Sequence, residues 1–241
     1  MTVPRVAILV IGSEILSGDT AETNAGFMAR HLAAAGASLR RVVIVPDEVG
    51  EIARFVAELS AEHDVVFTCG GIGPTHDDVT YAGLAQAFGV PLVLHPEIVA
   101  LIEAWKHGTL DPAHERLARV PEGASLYRGD GPFPVVRVRN VFVLPGVPRL
   151  LMRKFPELLC LVRGEPVLTR QYRTDETELV LADALAAVQA AHPEVEIGSY
   201  PSTPASGAWS VRLVLRCRCS APLEAACTAL VAAIPSVHEI R

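Results

Sequence analysis

The chain has 241 residues, half of them apolar, a fifth charged and 5% aromatic, enough for one large domain or a main domain with a smaller partner, with no need of disulfide or zinc staples. No unbroken apolar run exceeds six residues, the length of Val6 to Ile11, which excludes a membrane span of about 20 residues, and Glu14 and Asp19 follow too soon for a signal peptide. The net charge of −6 divides evenly, with 18 acids against 15 bases before residue 165 and 9 against 6 from there on, so no basic arm or half marks a nucleic-acid binder.

The five cysteines, at 69, 160, 217, 219 and 227, are odd in number and contain no CxxC pair. They read as thiols of a reduced cytoplasm, not as a disulfide framework or zinc finger. Cys217 and Cys219 share a face if that segment is a strand.

In chain order, Val6 to Ile11 is a continuous apolar run, the mark of a strand covered on both faces. Phe27 to Ala33 continues as a helix to the stop at Gly36. Val42 to Val45 is a second strand, ended by Pro46-Asp47. Ile52, Phe55, Val56 and Leu59 then fall on one helical face. Val65 to Phe67 is a third strand entering Gly70-Gly71-Ile72-Gly73-Pro74, and Tyr81 to Phe88 is a helix closed by Gly89. This alternation predicts parallel strands joined by right-handed crossovers. From 90 to 132 the pattern weakens to a helix over Glu97 to Trp105 and a loop over Gly123 to Pro132. Val135 to Val138 and Val141 to Leu144 are two short strands or one bent ribbon, and a helix follows Pro145-Gly146-Val147-Pro148 over about 149–162. The domain boundary is expected at Gly164, giving domains 1–164 and 165–241. The second predicts strand, helix, two strands separated by Pro/Ser/Gly turn chemistry, helix and a short final strand, the ferredoxin-like order.

Parallel strands end on one edge, where open α/β sheets bind ligands. The three loops there carry Ser13, Glu14, Ser17, Asp19 and Asn24, then Asp47 and Glu48, then Gly70 through Thr80. Glycines after a strand allow a tight turn and close backbone approach to a ligand, and a following helix N-terminus favours an anion. Neither Gly-Lys-Ser/Thr nor GxGxxG is present, so this is not a P-loop or a dinucleotide fingerprint. Adjacent Asp77 and Asp78 would repel a phosphate unless a divalent cation intervened. The same acids, and Asp47, also suit helix capping, and adjacent helical residues point about 100° apart. His76, without a second histidine nearby, reads as a polar loop residue.

The segment Cys69-Gly70-Gly71-Ile72-Gly73-Pro74-Thr75-His76-Asp77-Asp78-Val79-Thr80 resembles the molybdopterin-binding (molybdenum cofactor biosynthesis) domain family. So do Ile11-Gly12-Ser13-Glu14-Ile15-Leu16-Ser17-Gly18 with Asn24, Val45-Pro46-Asp47-Glu48 and Leu144-Pro145-Gly146-Val147-Pro148. The likeness is to the branch shared by CinA and the N-terminal domain of eukaryotic FAD synthase, with Phe133 to Val141 leaning to the latter. It covers most of 1–160 and stops short of the amidase domain of CinA and the FMN-adenylating domain of FAD synthase. The resemblance implies an α/β three-layer sandwich around the mostly parallel sheet, and the element order beyond it gives a small α+β ferredoxin-like C-terminal domain. It implies a phosphate-bearing nucleotide or pterin ligand, molybdopterin among them, and a divalent metal, Mg²⁺ or Co²⁺. The expected activity is metal-dependent hydrolysis of nucleotide pyrophosphates such as FAD or ADP-ribose to AMP. The alternatives are a non-catalytic binding module or adenylyl transfer to molybdopterin. Asp47 and Asp78 are the candidate catalytic residues and, with Asp77, the candidate metal ligands. Gly12, Ser13, Glu14, Asn24, Gly70, Gly71, Gly73, Pro74, Thr75, Thr80, Pro145 and Gly146 are the candidate phosphate and nucleotide contacts. A cytoplasmic homo-oligomer with no nucleic-acid or membrane partner is expected.

Overall fold

A computed structural model of the chain describes residues 3–129, 133–202 and 209–240. They form two compact units, 1–165 and 166–241. The first unit runs β1 (Arg5–Ile11), α1 (Ser13–Leu16), α2 (Asn24–Ala34), β2 (Ser38–Val45), α3 (Val49–Glu62), β3 (Val65–Cys69), α4 (Thr80–Phe88) and β4 (Leu92–Leu94). It continues through α5 (Pro96–Lys106), α6 (Pro112–Ala118), β5 (Arg119–Pro121), β6 (Ser125–Tyr127), β7 (Val135–Val138), β8 (Val141–Leu144) and α7 (Pro148–Leu158).

The main sheet has the order β2-β1-β3-β8-β7-β6. Its first four strands are parallel, while β7 runs against β8 and β6 against β7. The unbroken apolar run of β1 follows from its place inside this sheet. Val6, Ile8 and Val10 pack on one face with Met28 and Leu32 of α2 and Leu151 and Phe155 of α7. Ala7, Leu9 and Ile11 pack on the other with Ile52, Val56 and Leu59 of α3 and Leu84 of α4. Two cores on either side of one mostly parallel sheet make a three-layer α/β sandwich, as expected. The strand order reverses between β2-β1 and β3-β8, so the carboxyl ends of β1 and β3 flank the switch point where ligands settle in such sheets.

The stretch with the weakest pattern holds most of the elements that reading the sequence missed; the short α1 is another. There β4 pairs with β5 as a two-stranded antiparallel sheet, and the predicted loop over 123–132 contains β6, its residues 130–132 lying outside the described ones. Strands of three residues are too short to show a period of two. The Arg139-Asn140 break is a hairpin turn, with Arg139 at a positive φ of 53°. The Asn140 amide donates to the carbonyls of Ser60 and His63, tying that turn to the end of α3.

The second unit contains β9 (Leu168–Thr174), α8 (Glu178–Ala191), β10 (Glu196–Ser202), β11 (Ser210–Cys217), α9 (Ser220–Ala233) and β12 (His238–Ile240). Its antiparallel sheet, ordered β10-β11-β9-β12, is covered through a core that includes Tyr172, Leu213, Leu215, Leu223 and Leu230. This is the ferredoxin-like arrangement; most of the Pro/Ser/Gly turn, 203–208, lies outside the described residues. All five cysteines are free thiols. Cys217 ends β11 and is buried, whereas Cys219 lies beyond the strand and is exposed, so the two do not form the strand-face pair that their spacing suggested. Among the described residues no helix is long and apolar enough to cross a membrane.

Candidate functional site

The loops after β1, β2, β3 and β8 meet around a cavity of about 740 Å³ at the switch point. Backbone sterics dictate the glycines of the loop after β3. Gly70 has φ +107°, and a Cβ there would sit 2.0 Å from the Ile11 carbonyl oxygen. Gly71 has φ +62°, with the Thr80 hydroxyl 2.4 Å from the place of a Cβ and Asp47 Oδ1 3.4 Å from it. Only a residue without a side chain brings the end of β3 this close to the end of β1. Thr80 fastens the turn: its hydroxyl donates to Gly70 O at 2.8 Å and its N–H to Gly71 O at 3.0 Å. Gly146, after β8, continues the close approach, since a Cβ there would lie 3.0 Å from Gly70 Cα.

The acids arrive on separate loops. Asp47, half-buried after β2, accepts the Ser13 N–H on Oδ2 at 2.7 Å, while its own N–H donates to Ser13 Oγ at 3.0 Å. Asp78 accepts the Thr75 N–H at 2.9 Å and the Thr75 hydroxyl at 2.5 Å. Capping of the following helix is therefore not its role. The N-cap of α4 is Val79, which has no side-chain cap, and Asp77 and Asp78 lie before the helix in the turn. Hydrogen bonding by Thr75 is the leading influence holding the Asp77 carboxyl below the usual carboxylate range.

Asn24 opens α2 and is 93% buried (7% exposed). Its amide donates to Gly146 O at 2.7 Å, and its Oδ1 is buried without a hydrogen-bond partner. A buried acceptor left unmatched costs about 1–3 kcal/mol, and this one belongs to a residue that lines the cavity. Cys69 also lines it, and burial pushes its thiol up to about 12.

Of the residues singled out in the sequence, Glu14, Asn24, Asp47, Gly70, Gly71, Gly73, Asp77, Asp78, Pro145 and Gly146 line this cavity. Gly12, Ser13, Pro74, Thr75 and Thr80 are not on its wall; Ser13, Thr75 and Thr80 support those that are. Reading the sequence missed other residues of the wall: Tyr81, Trp105, His114, Phe133, Arg153 and Lys154. One signal was available. The chain has 19 Arg and only 2 Lys, and both lysines are here, Lys154 on the wall and Lys106 beside His114 at 3.4 Å.

Among the described residues no three His, Cys, Asp or Glu side chains gather as a ready-made metal cage. The carboxylates lining the cavity are those of Glu14, Asp47, Asp77, Asp78 and Glu157, all hard oxygen donors. That set suits Mg²⁺, which is commonly held by one or two carboxylates together with substrate phosphates and water.

Residues 7–170 match the family described as "Probable molybdopterin binding domain", and residues 166–240 match "FAD synthase, middle domain". The chain is similar to a protein of Archaeoglobus fulgidus, 37% identical over 195 residues, 80% of this chain and 84% of that one. It is also similar to the "Probable FAD synthase" of Caenorhabditis briggsae, 38% identical over 226 residues, 81% of this chain but 43% of that protein. The chain thus spans less than half of that relative. A crystal structure described as CinA with unknown function, from Thermoplasma acidophilum, superposes with a TM-score of 0.61 at 28% identity, covering 66% of this chain and 98% of that one.

Proposed function

We propose, since the chain belongs to the family of probable molybdopterin binding domains, that it is a metal-dependent hydrolase of nucleotide pyrophosphates, splitting FAD or ADP-ribose to release AMP. One observation carries this reading. The glycine turn 70–73, with no room for a Cβ at Gly70, lines one cavity with the carboxylates of Asp47 and Asp78. Backbone N–H groups of such a turn suit phosphate oxygens, and the carboxylates suit the cation that phosphate brings with it. Asp47 and Asp78 would hold a divalent cation, with Asp77 at its margin. When bound, that ion would polarise the phosphoryl group and neutralise the charge developing on it. The chain's own groups position the rest. Ser13 fixes Oδ2 of Asp47, Thr75 fixes Asp78, and the unpaired Oδ1 of Asn24 accepts a donor from the ligand. A homo-oligomer is part of the proposal, supported by the exposed apolar side chains of Val42 and Ile44 on the edge strand β2.

The test is AMP release from FAD and ADP-ribose with Mg²⁺, Co²⁺ or chelator. Metal-dependent AMP is expected, and Asp78→Asn should lower it by orders of magnitude while Asp77→Asn does so mildly. Equal, mild effects at both positions would sink the assignment of Asp78. A second reading, a module that binds without turnover, draws on the two hydrogen bonds that Asp78 already accepts from Thr75. Tight ligand retention without product under every metal condition selects it.

A further inference from the structure

Besides the glycine–aspartate loops, the same cavity wall carries a group of aromatic and basic side chains. The connection between them can be followed residue by residue. Gly146 lies against Gly70, and α7 begins two residues later at Pro148. Six helical residues on, roughly 9 Å along the axis at about 1.5 Å each, Lys154 reaches the cavity next to Arg153. The Lys154 ammonium donates to the carbonyl of Phe133. The Phe133 ring stands edge-on to Trp105, centroids 6.5 Å apart at 73°, and Trp105 is 6.2 Å from the His114 ring.

Three features distinguish this group from ordinary core packing. Trp105 lines the cavity and yet is 66% exposed, whereas an indole serving only the core would be mostly covered. The His114 ring is anchored by Asp111, whose Oδ1 meets Nδ1 at 2.8 Å and accepts the His114 backbone N–H at 3.0 Å. Lys106 holds Asp111 in turn at 2.5 Å. Lys154 is half-buried, and its ammonium hydrogen-bonds a neutral carbonyl. Burial is the main influence lowering its pKa, a cost that an anionic ligand would offset.

We infer that Trp105, His114 and Phe133 form a stacking subsite for a flat heteroaromatic ring, with Arg153 and Lys154 set for the phosphates between that ring and the glycine turn. The inference rests on the nucleotide reading above and deepens it. The ring supplies binding energy, and a sugar phosphate lacking it leaves the aromatic wall empty. Base–aromatic stacking is sequence-tolerant because every such ring presents a π-face, so purine and isoalloxazine rings both qualify.

The experiment is equilibrium binding of AMP, FMN and ribose 5-phosphate to the full chain with Mg²⁺ present; none of the three has a pyrophosphate bond, so no turnover intervenes. Trp105→Ala should weaken AMP and FMN about 10-fold, a change of about 1.4 kcal/mol and within the range of one stacked ring, and leave ribose 5-phosphate unchanged. Trp105→Phe should restore most of the loss. Lys154→Met should weaken all three. Trp105 is largely exposed, so its replacement spares the fold, which a melting curve checks. No effect of Trp105→Ala, an equal loss for ribose 5-phosphate, or no binding of AMP or FMN by the unaltered chain would overturn the inference. Absence of AMP release in the metal assay would overturn only the hydrolase reading, since the binding result does not depend on it.

Discussion

Ser13 and Asp47 hold each other across two loops: the Ser13 N–H donates to Asp47 Oδ2 at 2.7 Å and the Asp47 N–H donates to Ser13 Oγ at 3.0 Å. The restraint divides the carboxylate into two roles. Oδ2 is fixed to the loop after β1, whereas Oδ1 faces the glycine turn, 3.4 Å from where a Gly71 Cβ would stand. Ser13→Ala removes the Oγ that accepts the Asp47 N–H and keeps the backbone N–H that holds Oδ2; it should cost at most about 1 kcal/mol, with AMP release lowered roughly 10-fold as the loop carrying Asp47 loosens, a barrier change of about 1.4 kcal/mol. Asp47→Asn keeps the shape but removes the charge, and should lower activity by orders of magnitude at nearly unchanged melting temperature. Thermal melts and initial rates on the two variants check this, and an active Asp47→Asn protein would contradict it.

Two glycines of one turn should fail in different ways. A Cβ at Gly70 meets the Ile11 carbonyl, a backbone atom that cannot move aside, at a φ of +107°. Gly70→Ala should therefore destabilise the fold by more than about 2 kcal/mol. Gly73 has no positive φ, and its Cβ would meet Asp78 Oδ2 at 2.6 Å, the end of a flexible side chain. Gly73→Ala should fold normally and lose activity by displacing Asp78. Denaturant midpoints and AMP assays separate the cases; a stable, active Gly70→Ala protein would refute the account of this turn.

The sandwich was legible because its strands are buried on both faces and its helices are amphipathic. The run Val6 to Ile11 and the face Ile52, Val56, Leu59 each have one physical solution. The carboxyl-end loops were legible for a related reason, since parallel strands must end together. The aromatic wall was not. Trp105, His114 and Phe133 are far apart in sequence and lie in the segment where β4, β5 and β6 have only three residues each, too few to show a period. The role of Asp78 was half-legible. An acid before a helix suggests a cap, but whether it caps the helix or the turn before it depends on where the helix begins, and here that is at Thr80, two residues beyond Asp78.

Acid should loosen the sheet at one identifiable point. Asp64 accepts the Arg5 N–H at 2.7 Å and donates its own N–H to the Arg5 carbonyl at 2.9 Å, joining the start of β1 to the approach to β3. The Arg5 backbone N–H, and then its guanidinium, hold the Asp64 carboxyl below its usual value. The folded state thus favours the ionised form. This stabilisation is fully present above the unfolded pKa of about 3.9 and is lost as pH falls through the lower folded value. Asp64 is half-exposed, which keeps the effect small. Melting temperature measured from pH 6 to pH 2 should fall more steeply in the unaltered chain than in Asp64→Asn, with the two curves converging at the acid end. Parallel curves would show that Asp64 does not contribute.

Asn24 offers a test in which stability and ligand affinity move together for a stated reason. Its amide holds Gly146 O at 2.7 Å while Oδ1 has no partner. Asn24→Asp replaces the donor with a second acceptor facing the Gly146 carbonyl, and should destabilise by about 1–3 kcal/mol. Asn24→Ala also loses the bond to Gly146 but carries no unpaired acceptor into the cavity. If the ligand donates to Oδ1, AMP should raise the melting temperature of the unaltered chain more than that of Asn24→Ala, because only the former gains a partner for a buried oxygen. Melts with and without AMP, in Mg²⁺, measure the difference directly. An equal rise in both proteins would mean that Oδ1 faces no ligand donor, and Asn24 would then be a clasp on Gly146 alone.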